Sequence, residues 1–226
     1  MIESVSVIGA RGRVGGAMSA RLDARGVRLD DPTPQVVLAC VPDSAIAEVA
    51  AEIAPGPWLC HTSGATPLAA LAPHTRRFTL HPLQTFTRER GPEQLDGAWA
   101  AVAAETDEGL TVARELAALL GLRAFTLDDG QRALYHAGAA VAANYLVTLR
   151  QIGGALLEAA GAPPEALDPL VARVVENGFA LTGPIERGDW ETVERHRTAI
   201  AAARPDLLAV YDALTEATRA LVAVPA

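Results

Sequence analysis

The chain has 226 residues, half of them hydrophobic, so it can bury the core of one large domain or two small ones. Its formal net charge of −8 argues against nucleic acids and anionic membranes as partners. All 19 basic residues are arginine. The absence of lysine excludes a catalytic Schiff base and a P-loop lysine, and it leaves proton transfer near neutral pH to histidine, tyrosine, cysteine, carboxyl groups or water.

Two features predict a cytoplasmic protein. The chain enters a predicted strand almost at once, without a signal-peptide pattern, and it has only the two cysteines Cys40 and Cys60. The most apolar helical stretch, residues 134–149, is too short and too often interrupted by polar side chains to span a bilayer.

A glycine-rich turn follows the first predicted strand, residues 4–9, and precedes a predicted helix over residues 17–25. Its glycines have the spacing G-x-x-G-x-x-G. Glycines allow a tight turn and a close approach to phosphate, and a helix N-terminus offers phosphate free N–H groups. The candidate cofactor-binding residues are Gly9, Arg11, Gly12, Arg13, Val14 and Gly15 in this turn, and Pro42 after the next strand. The alternative is a turn that only packs the strand against the helix.

The segment after this helix is too short for a complete mononucleotide-binding half. Only residues 26–34 separate the helix from the next strand, so at most one short strand over residues 27–30 fits. In that case Asp30 or Asp31 lies about twenty residues beyond the first glycine, where an acidic residue can reach a ribose hydroxyl. Alternatively, the adenosine-binding unit is deleted. The cofactor is therefore NADP or NAD, and the shortened unit leaves dinucleotide binding itself open.

Two successive predicted strands end in a histidine. One leads to His61, Thr62 and Ser63, which we assign to substrate binding, and the next leads to His81, a candidate proton donor. In an open parallel sheet these residues lie near the glycine turn, because ligands bind at the carboxyl ends of the strands. A histidine at a strand end can also simply cap a turn. A zinc ion shared by Cys60 and both histidines is disfavoured, because neighbouring residues of a strand point to opposite faces.

The remaining pattern predicts an α/β domain followed by an all-α domain. The α/β part continues with a strand over residues 98–104, a helix over 107–121 and a strand over 123–127. Helices alone follow, at about residues 130–160, 164–178, 190–202 and 205–222. We therefore predict a shortened α/β domain that binds a dinucleotide over residues 1–128 and a helical domain over residues 129–226. His74, in a loop with two arginines, is predicted to be solvated.

One helical stretch, residues 134–146, carries His136 and Asn144 among small and apolar residues. Buried polar groups need hydrogen-bond partners, because an unpaired one costs roughly 1–3 kcal/mol. We interpret this helix as the floor of a cleft between the two domains. The alternative is that His136 and Asn144 are core residues whose polar groups have hydrogen-bond partners there.

Several motifs, taken in order, resemble those of Rossmann-like proteins that carry the C-terminal domain DUF2520. The motifs are residues 61–65 (His-Thr-Ser-Gly-Ala), residues 81–86 (His-Pro-Leu-Gln-Thr-Phe), Tyr135-His136 with Asn144-Tyr145, and residues 180–189 (Ala-Leu-Thr-Gly-Pro-Ile-Glu-Arg-Gly-Asp) with His196. The layout is similar to that of the 6-phosphogluconate dehydrogenase-like superfamily, which includes ketopantoate and pyrroline-5-carboxylate reductases. The resemblance covers nearly the whole chain.

The resemblance implies an NAD(P)-binding N-terminal domain and a helical C-terminal domain that commonly forms a dimer. In several reductases of the superfamily, a lysine on the interdomain helix donates the proton. His136, which matches the family's Tyr-His motif, is the candidate for that role here. The chain departs from the family in one extra residue within the glycine motif and in the shortened unit after the first helix.

These observations predict an NAD(P)H-dependent reductase of a small 2-oxo acid or imine that acts as a homodimer. In this interpretation hydride transfer takes place in the interdomain cleft, His136 or His81 donates the proton, and Asn144 orients the substrate. Arg187 either binds a substrate carboxylate through two hydrogen bonds or braces its own turn. The alternative function is that of a cofactor-free descendant, which does acid–base chemistry on a small ligand or only binds one.

Overall fold

Six strands form one sheet in the first of two compact units. The computed structural model describes residues 1–222, whose contacts group Met1–Val141 into one unit and the residues from Ala142 onward into another. In order across the sheet the strands are β1 (Val5–Ile8), β2 (Val36–Ala39), β3 (Trp58–His61), β4 (Arg77–Leu83), β5 (Trp99–Ala104) and β6 (Arg123–Thr126). The predicted domain boundary after residue 128 precedes this division, because the helix that follows the sheet groups with the first unit.

The sheet is mixed rather than parallel throughout. Strands β1 to β4 pair in parallel, β5 is antiparallel to β4, and β6 is parallel to β5. The connection from β4 to β5 contains only a 3₁₀ turn, Pro92–Leu95, and no α-helix that would carry the chain back along the sheet. Without such a crossover, the next strand runs in the opposite direction.

Helices cover both faces of the sheet. Helices α1 (Arg13–Ala24) and α3 (Asp107–Leu120) contribute to the core on one face, and α2 (Ile46–Glu52) contributes to the core on the other. Leu38 of β2 belongs to the first core and its neighbour Val37 to the second. This division follows from the alternation of side chains along a strand.

Two local predictions are wrong. Helix α1 begins at Arg13 rather than at residue 17, because Gly12 is its N-cap and the glycines that follow are helical. His74 is buried rather than solvated, and its Nε2 lies 2.9 Å from the carbonyl oxygen of Ala50. The arginines that follow His74 in the sequence suggested an exposed loop, but the loop folds back against α2.

The short segment between α1 and β2 forms a single parallel bridge, between Ser4 and Arg28. Two backbone hydrogen bonds of 2.9 Å hold it, from the N–H of Val5 to the Arg28 carbonyl and from the Arg28 N–H to the Glu3 carbonyl. The Ser4 carbonyl accepts instead from β2, so the bridge lies along the outer edge of β1. The short strand that we predicted within residues 27–30 is therefore reduced to one pair.

The second unit consists of helices. Helix α4 (Arg132–Ala140) of the first unit continues through a π-helical turn, Val141–Tyr145, into α5 (Leu146–Ala159). The remaining helices are α6 (Leu167–Glu176), α7 (Trp190–Ala203) and α8 (Leu208–Val222). No helix within residues 1–222 combines the length and the apolar composition that crossing a bilayer requires.

The helices of the second unit leave much of their apolar surface uncovered. Within residues 142–222 the buried residues are Gly154, Val193, Ile200 and Thr215. Large apolar side chains that are at least 40% exposed include Leu146, Val147, Leu149, Leu170, Val174, Val175, Phe179 and Leu221. A unit with so small a core gains little stability from its own hydrophobic burial.

Candidate functional site

Two positions in the glycine turn after β1 can hold no residue other than glycine. Gly9 has a φ of +82°, and a Cβ there would lie 2.2 Å from the carbonyl oxygen of Cys40. A Cβ at Gly15 would lie 2.3 Å from the Gly9 carbonyl oxygen. The Gly12 N–H donates to that same carbonyl at 2.8 Å and closes the turn. The chain therefore approaches itself closely at the point where α1 begins.

The start of α1 has the features of an anion-binding helix N-terminus. Its N-cap, Gly12, has no side chain to cap the helix, and its first turn contains no acidic residue. The first N–H groups of a helix have no acceptor within it, which here concerns Arg13, Val14 and Gly15. Arg11 and Arg13 are exposed beside them. A diphosphate fits this arrangement in charge and in hydrogen-bonding capacity.

A groove of about 250 Å³ runs along the same end of α1. Its basic lining residues are Arg11, Arg13, Arg88 and Arg90, and its lining contains no acidic residue. In a chain with a net charge of −8, these arginines form a local region of positive potential beside the glycine turn.

Two acidic residues follow the bridge on the outer edge of β1. The carboxylate of Asp31 accepts from the Thr33 N–H at 2.9 Å and forms an ion pair with Arg28 at 3.2 Å. The hydrogen bond with Thr33 lowers the pKa of Asp31. Asp30 is exposed. Of the two acidic residues, Asp30 is thus the one whose carboxylate is more available to a ribose hydroxyl.

His61 ends β3 and is completely buried. Its Nδ1 accepts from the Ser63 N–H at 3.2 Å, so the ring proton lies on Nε2, which has no hydrogen-bond partner within residues 1–222. Burial, and then the positive charge of Arg132, lower the pKa of His61 to about 4. A neutral imidazole at this position orders the turn that follows it.

Ser63 is held by that turn. Its hydroxyl donates to the Asp43 carboxylate at 2.8 Å and accepts from the Thr66 N–H at 2.9 Å. Thr62, between the histidine and the serine, is partly exposed. Of the predicted substrate ligands in this segment, Thr62 is therefore the one most accessible to a small molecule.

His81, in β4, lies beside two aromatic rings of α4. Its Nδ1 is 2.7 Å from the hydroxyl of Tyr135, and the two ring planes are nearly perpendicular at 86°. The ring of His136 follows on the same helix, 6.2 Å from the His81 ring between centroids. Burial, then the nearby His136, lower the pKa of His81 to about 4, and burial raises the pKa of Tyr135 to about 12.

The two histidines meet above Gly64. A Cβ at that position would lie 2.8 Å from Cδ2 of His136 and 2.9 Å from Nε2 of His81. The missing side chain is thus what allows both rings to face one point on the backbone. Gly64 was not among the predicted site residues, although it belongs to the His-Thr-Ser-Gly-Ala motif.

Arg132, also missed from the sequence, attaches α4 to the sheet. Its side chain is 2% exposed and pairs with the carboxylate of Asp129. One guanidinium NH₂ group donates to the Ser63 carbonyl at 3.2 Å, and the other donates to the hydroxyl of Thr79 in β4. The Asp129 carboxylate also accepts from the Leu68 N–H at 3.0 Å. The signal available in the sequence was an arginine at the start of a helix rich in small residues.

The other predicted site residues belong to the second unit. Asn144 lies in the π-helical turn, a feature that is rare in helices and frequent at functional sites. Its backbone carbonyl accepts from the Thr148 hydroxyl at 3.3 Å. Arg187 is exposed in the loop before α7, and Asp189 in that loop caps α7 by accepting from the Thr192 N–H at 3.1 Å. The Asp189 carboxylate thus caps the N-terminus of α7.

The cysteines have structural positions. Cys60 is fully buried in the core beneath α1 and α3, and burial raises the pKa of its thiol. Cys40 is partly buried beside the glycine turn, where burial raises its pKa to about 12. Within the part of the chain that the structure describes, no three histidine, cysteine or acidic side chains are arranged to hold a metal ion.

Comparisons with known proteins agree with this fold. The family described as a domain of unknown function, DUF2520, matches residues 98–218. A Bacteroides fragilis protein provisionally named an NADP oxidoreductase superimposes with a TM-score of 0.79 at 20% identity, over 96% of this chain and 98% of its own. A Thermotoga maritima protein superimposes with a TM-score of 0.78 at 22% identity, over 97% of this chain and 98% of its own.

A more distant likeness is to a Plasmodium falciparum pyrroline carboxylate reductase with NADP bound. Its TM-score is 0.59 at 10% identity, over 98% of both chains. No protein of curated function matches the sequence. These likenesses confirm the predicted fold class, a shortened Rossmann-like domain followed by a helical domain.

Proposed function

The chain belongs to the DUF2520 family, and from this membership and the geometry of the first unit we propose that it is an NAD(P)H-dependent reductase of a small 2-oxo acid or imine. One observation carries the proposal. The phosphate-sized glycine turn after β1 and the histidines of β3 and β4 belong to one parallel group of strands, and His61 aligns in register with Ala39 of β2 and Thr79 of β4. The carboxyl ends of such strands are where this class of fold binds ligands.

The cofactor proposal is supported by the turn itself. Gly9 and Gly15 pack too closely to carry side chains, and the N–H groups at the start of α1 can bind a diphosphate. Arg11 and Arg13 add charge, and Pro42 follows the adjacent strand. The bridge at Arg28 keeps Asp30 at the edge where a ribose hydroxyl would lie. The Plasmodium reductase of the same fold was solved with NADP bound. This supports a nicotinamide cofactor here and leaves the choice between NAD and NADP open.

A reduced nicotinamide, when bound, supplies a hydride to the substrate carbon. The residues of this chain supply what remains, namely a proton, an oriented substrate and exclusion of water. His81 and His136 are the proton-donor candidates in the first unit. We assign substrate contacts to His61, Thr62 and Ser63, the orienting role to Asn144, and carboxylate binding to Arg187.

We also propose that the working form is a homodimer assembled through the helical unit. The exposed apolar side chains of α5 and α6 lie on a unit that buries few residues of its own. Exposed apolar patches of this kind mark interaction surfaces. A second copy of the same chain offers a matching apolar surface, and most soluble oligomers are symmetric homo-oligomers.

Titration with NADPH and with NADH, followed by calorimetry, tests the function. We expect at least one to bind with a dissociation constant below about 1 mM, and we expect the protein to oxidise that cofactor in the presence of a member of a panel of small 2-oxo acids and cyclic imines. The Gly15→Val variant is the matched control, since its side chain would collide with the Gly9 carbonyl. Binding weaker than millimolar for both cofactors contradicts the reductase proposal.

One observation favours the second candidate, a cofactor-free descendant of the fold. The bridge between Ser4 and Arg28 is a single pair, where a complete dinucleotide-binding domain has a full strand. The same titration separates the two candidates, because a cofactor-free protein would bind small acids or imines with unchanged affinity whether or not a nicotinamide nucleotide is present.

A further inference from the structure

We propose that His81 delivers the proton to the substrate through Nε2, and that the hydroxyl of Tyr135 supplies a proton to Nδ1 of the same ring. The inference deepens the proposed reductase function and rests on it. It names a proton path that begins at a residue outside the set of histidines considered above.

The two ring nitrogens of His81 face different partners. Nδ1 lies 2.7 Å from the hydroxyl of Tyr135, whereas Nε2 is close to the Gly64 backbone and has no hydrogen-bond partner within residues 1–222. The bond to Tyr135 fixes the orientation of the ring. One nitrogen is thus connected to a proton source, and the other is left to donate to a substrate.

His136 presents a different edge to the Gly64 backbone. The atom of His136 nearest to the Gly64 position is the carbon Cδ2, and the hydrogen bonds found within residues 1–222 do not include its side chain. His136 thus lacks the proton source that Tyr135 gives to His81, so we assign the donating nitrogen to His81.

Burial, and after it the charges around His81, decide which protonation state it has. Tyr135, His136 and Arg132 of α4, His61 of β3, and Asp43 in the turn after β2 are the titratable or charged groups near it. Only Asp43 favours the imidazolium, and burial outweighs it.

His81 is therefore neutral near pH 7. A neutral imidazole is a weak acid on its own, but it can pass a proton on when its other nitrogen receives one at the same moment. Tyr135 is positioned to provide that second proton.

Each proton transfer has a defined donor and acceptor. When the substrate carbon accepts the hydride, the π electrons of the C=O or C=N bond move to the oxygen or nitrogen. That atom takes the proton from Nε2 of His81, while the hydroxyl proton of Tyr135 moves to Nδ1 and leaves a tyrosinate. A solvent water then gives a proton to Nε2 and leaves as hydroxide, and the Nδ1 proton returns to Tyr135, so both residues are restored and one proton is taken from the solvent.

The first test is nitrogen NMR of the histidine rings in the full-length protein without ligand. We expect His81 to carry its proton on Nε2, with the chemical shift of a hydrogen-bonded acceptor at Nδ1, and we expect Tyr135→Phe to remove that signature. The proposal is overturned if Nδ1 carries the proton, because Tyr135 would then be an acceptor. This arm needs no cofactor and no substrate, so it is independent of the proposed function.

The second test compares turnover in Tyr135→Phe, His81→Gln and His136→Gln with the cofactor that binds. We expect the first two variants to lose about a hundredfold in kcat with little change in KM, and we expect His136→Gln to lose less than tenfold. Equal losses in His81→Gln and His136→Gln would overturn the assignment of the donor, and so would an unchanged pH profile in Tyr135→Phe. A protein that binds neither cofactor fails the reductase proposal, whereas the NMR result still decides the arrangement of the pair.

Discussion

The guanidinium of Arg132 donates a hydrogen bond to the hydroxyl of Thr79, a residue in the middle of β4, and so attaches the helix with Tyr135 and His136 to the strand with His81. Replacing Arg132 with Met leaves the Thr79 hydroxyl and the Ser63 carbonyl without their charged donor. We expect a loss of about 3 kcal/mol in the free energy of unfolding.

Urea denaturation at a fixed protein concentration measures this loss. Arg25→Met, at the exposed end of α1, is the matched control and should change the free energy of unfolding by less than about 0.5 kcal/mol. If the two variants unfold at the same urea concentration, Arg132 does not anchor α4.

A methyl group at Gly64 tests the placement of the two histidine rings. Gly64→Ala would bring its Cβ within 2.9 Å of His81 and 2.8 Å of His136, so the rings must move apart. A displacement near 1 Å in a catalytic group can cost about a hundredfold in rate, and we expect kcat to fall by about that factor. The control is Gly138→Ala, where a Cβ meets nothing within 4 Å. Wild-type turnover in Gly64→Ala would show that turnover does not depend on where these rings lie.

Acid should destabilise the protein between pH 6.5 and 4. Burial lowers the pKa of both His61 and His81 from 6.5 to about 4. In this range the unfolded chain binds protons that the folded protein does not. Stability is therefore complete above pH 6.5 and is lost as the pH falls toward 4, by about 1.4 kcal/mol per pH unit for each histidine.

Unfolding free energies measured at several pH values give this slope directly. The variant His81→Asn cannot titrate in this range and should show a slope smaller by the contribution of one histidine. A slope that is the same in His81→Asn and in the wild type would mean that His81 titrates normally in the folded protein.

Each arginine beside the glycine turn should contribute to cofactor binding on its own. We expect Arg11→Ala and Arg13→Ala each to weaken binding of NADPH or NADH by about fivefold to tenfold, because a hydrogen bond from a charged donor contributes about 1 to 1.5 kcal/mol. Calorimetry at two salt concentrations measures the effect, which salt should reduce. Arg25→Ala, at the other end of α1, should bind as the wild type does. Equal affinity in all four proteins would exclude these arginines from the cofactor site.

The helical unit should lose its partner when its apolar surface is charged. Val147 is 58% exposed and Leu170 is 59% exposed. Val147→Glu and Leu170→Glu would bury a carboxylate in a dimer interface, and we expect the dissociation constant of the dimer to rise by about a hundredfold or more. Light scattering across a dilution series measures it, with Glu158→Lys as an exposed polar control. A wild-type protein that is monomeric at every concentration would contradict the homodimer.

The elements of this fold were accessible from the sequence because they depend on local pattern. Apolar runs predicted the strands that carry His61 and His81, although β4 continues past His81 to Leu83. The glycine spacing predicted the turn before α1. Each of these predictions depends on residues that are neighbours in the chain, so none of them requires knowledge of the tertiary packing.

The arrangement of the site could not be derived in this way. Tyr135 and His81 are 54 residues apart, and their contact exists only because Arg132 fastens α4 to the sheet. The sequence does not distinguish a buried arginine from an exposed one, because the role of Arg132 depends on tertiary contacts that no local pattern reveals. The position of Gly64 between two rings is likewise a result of packing. His74 was assigned wrongly for the same reason.

The single pair between Ser4 and Arg28 leaves the rest of that edge of β1 without a neighbouring strand. Residues can therefore be added after Arg28 without shifting the alignment of any other strand, since β2 pairs with the opposite edge. This edge is the natural point at which to graft a strand and helix from a longer relative. Such a chimera would convert an abbreviated nucleotide-binding half into a complete one while keeping the histidine-bearing strands in place.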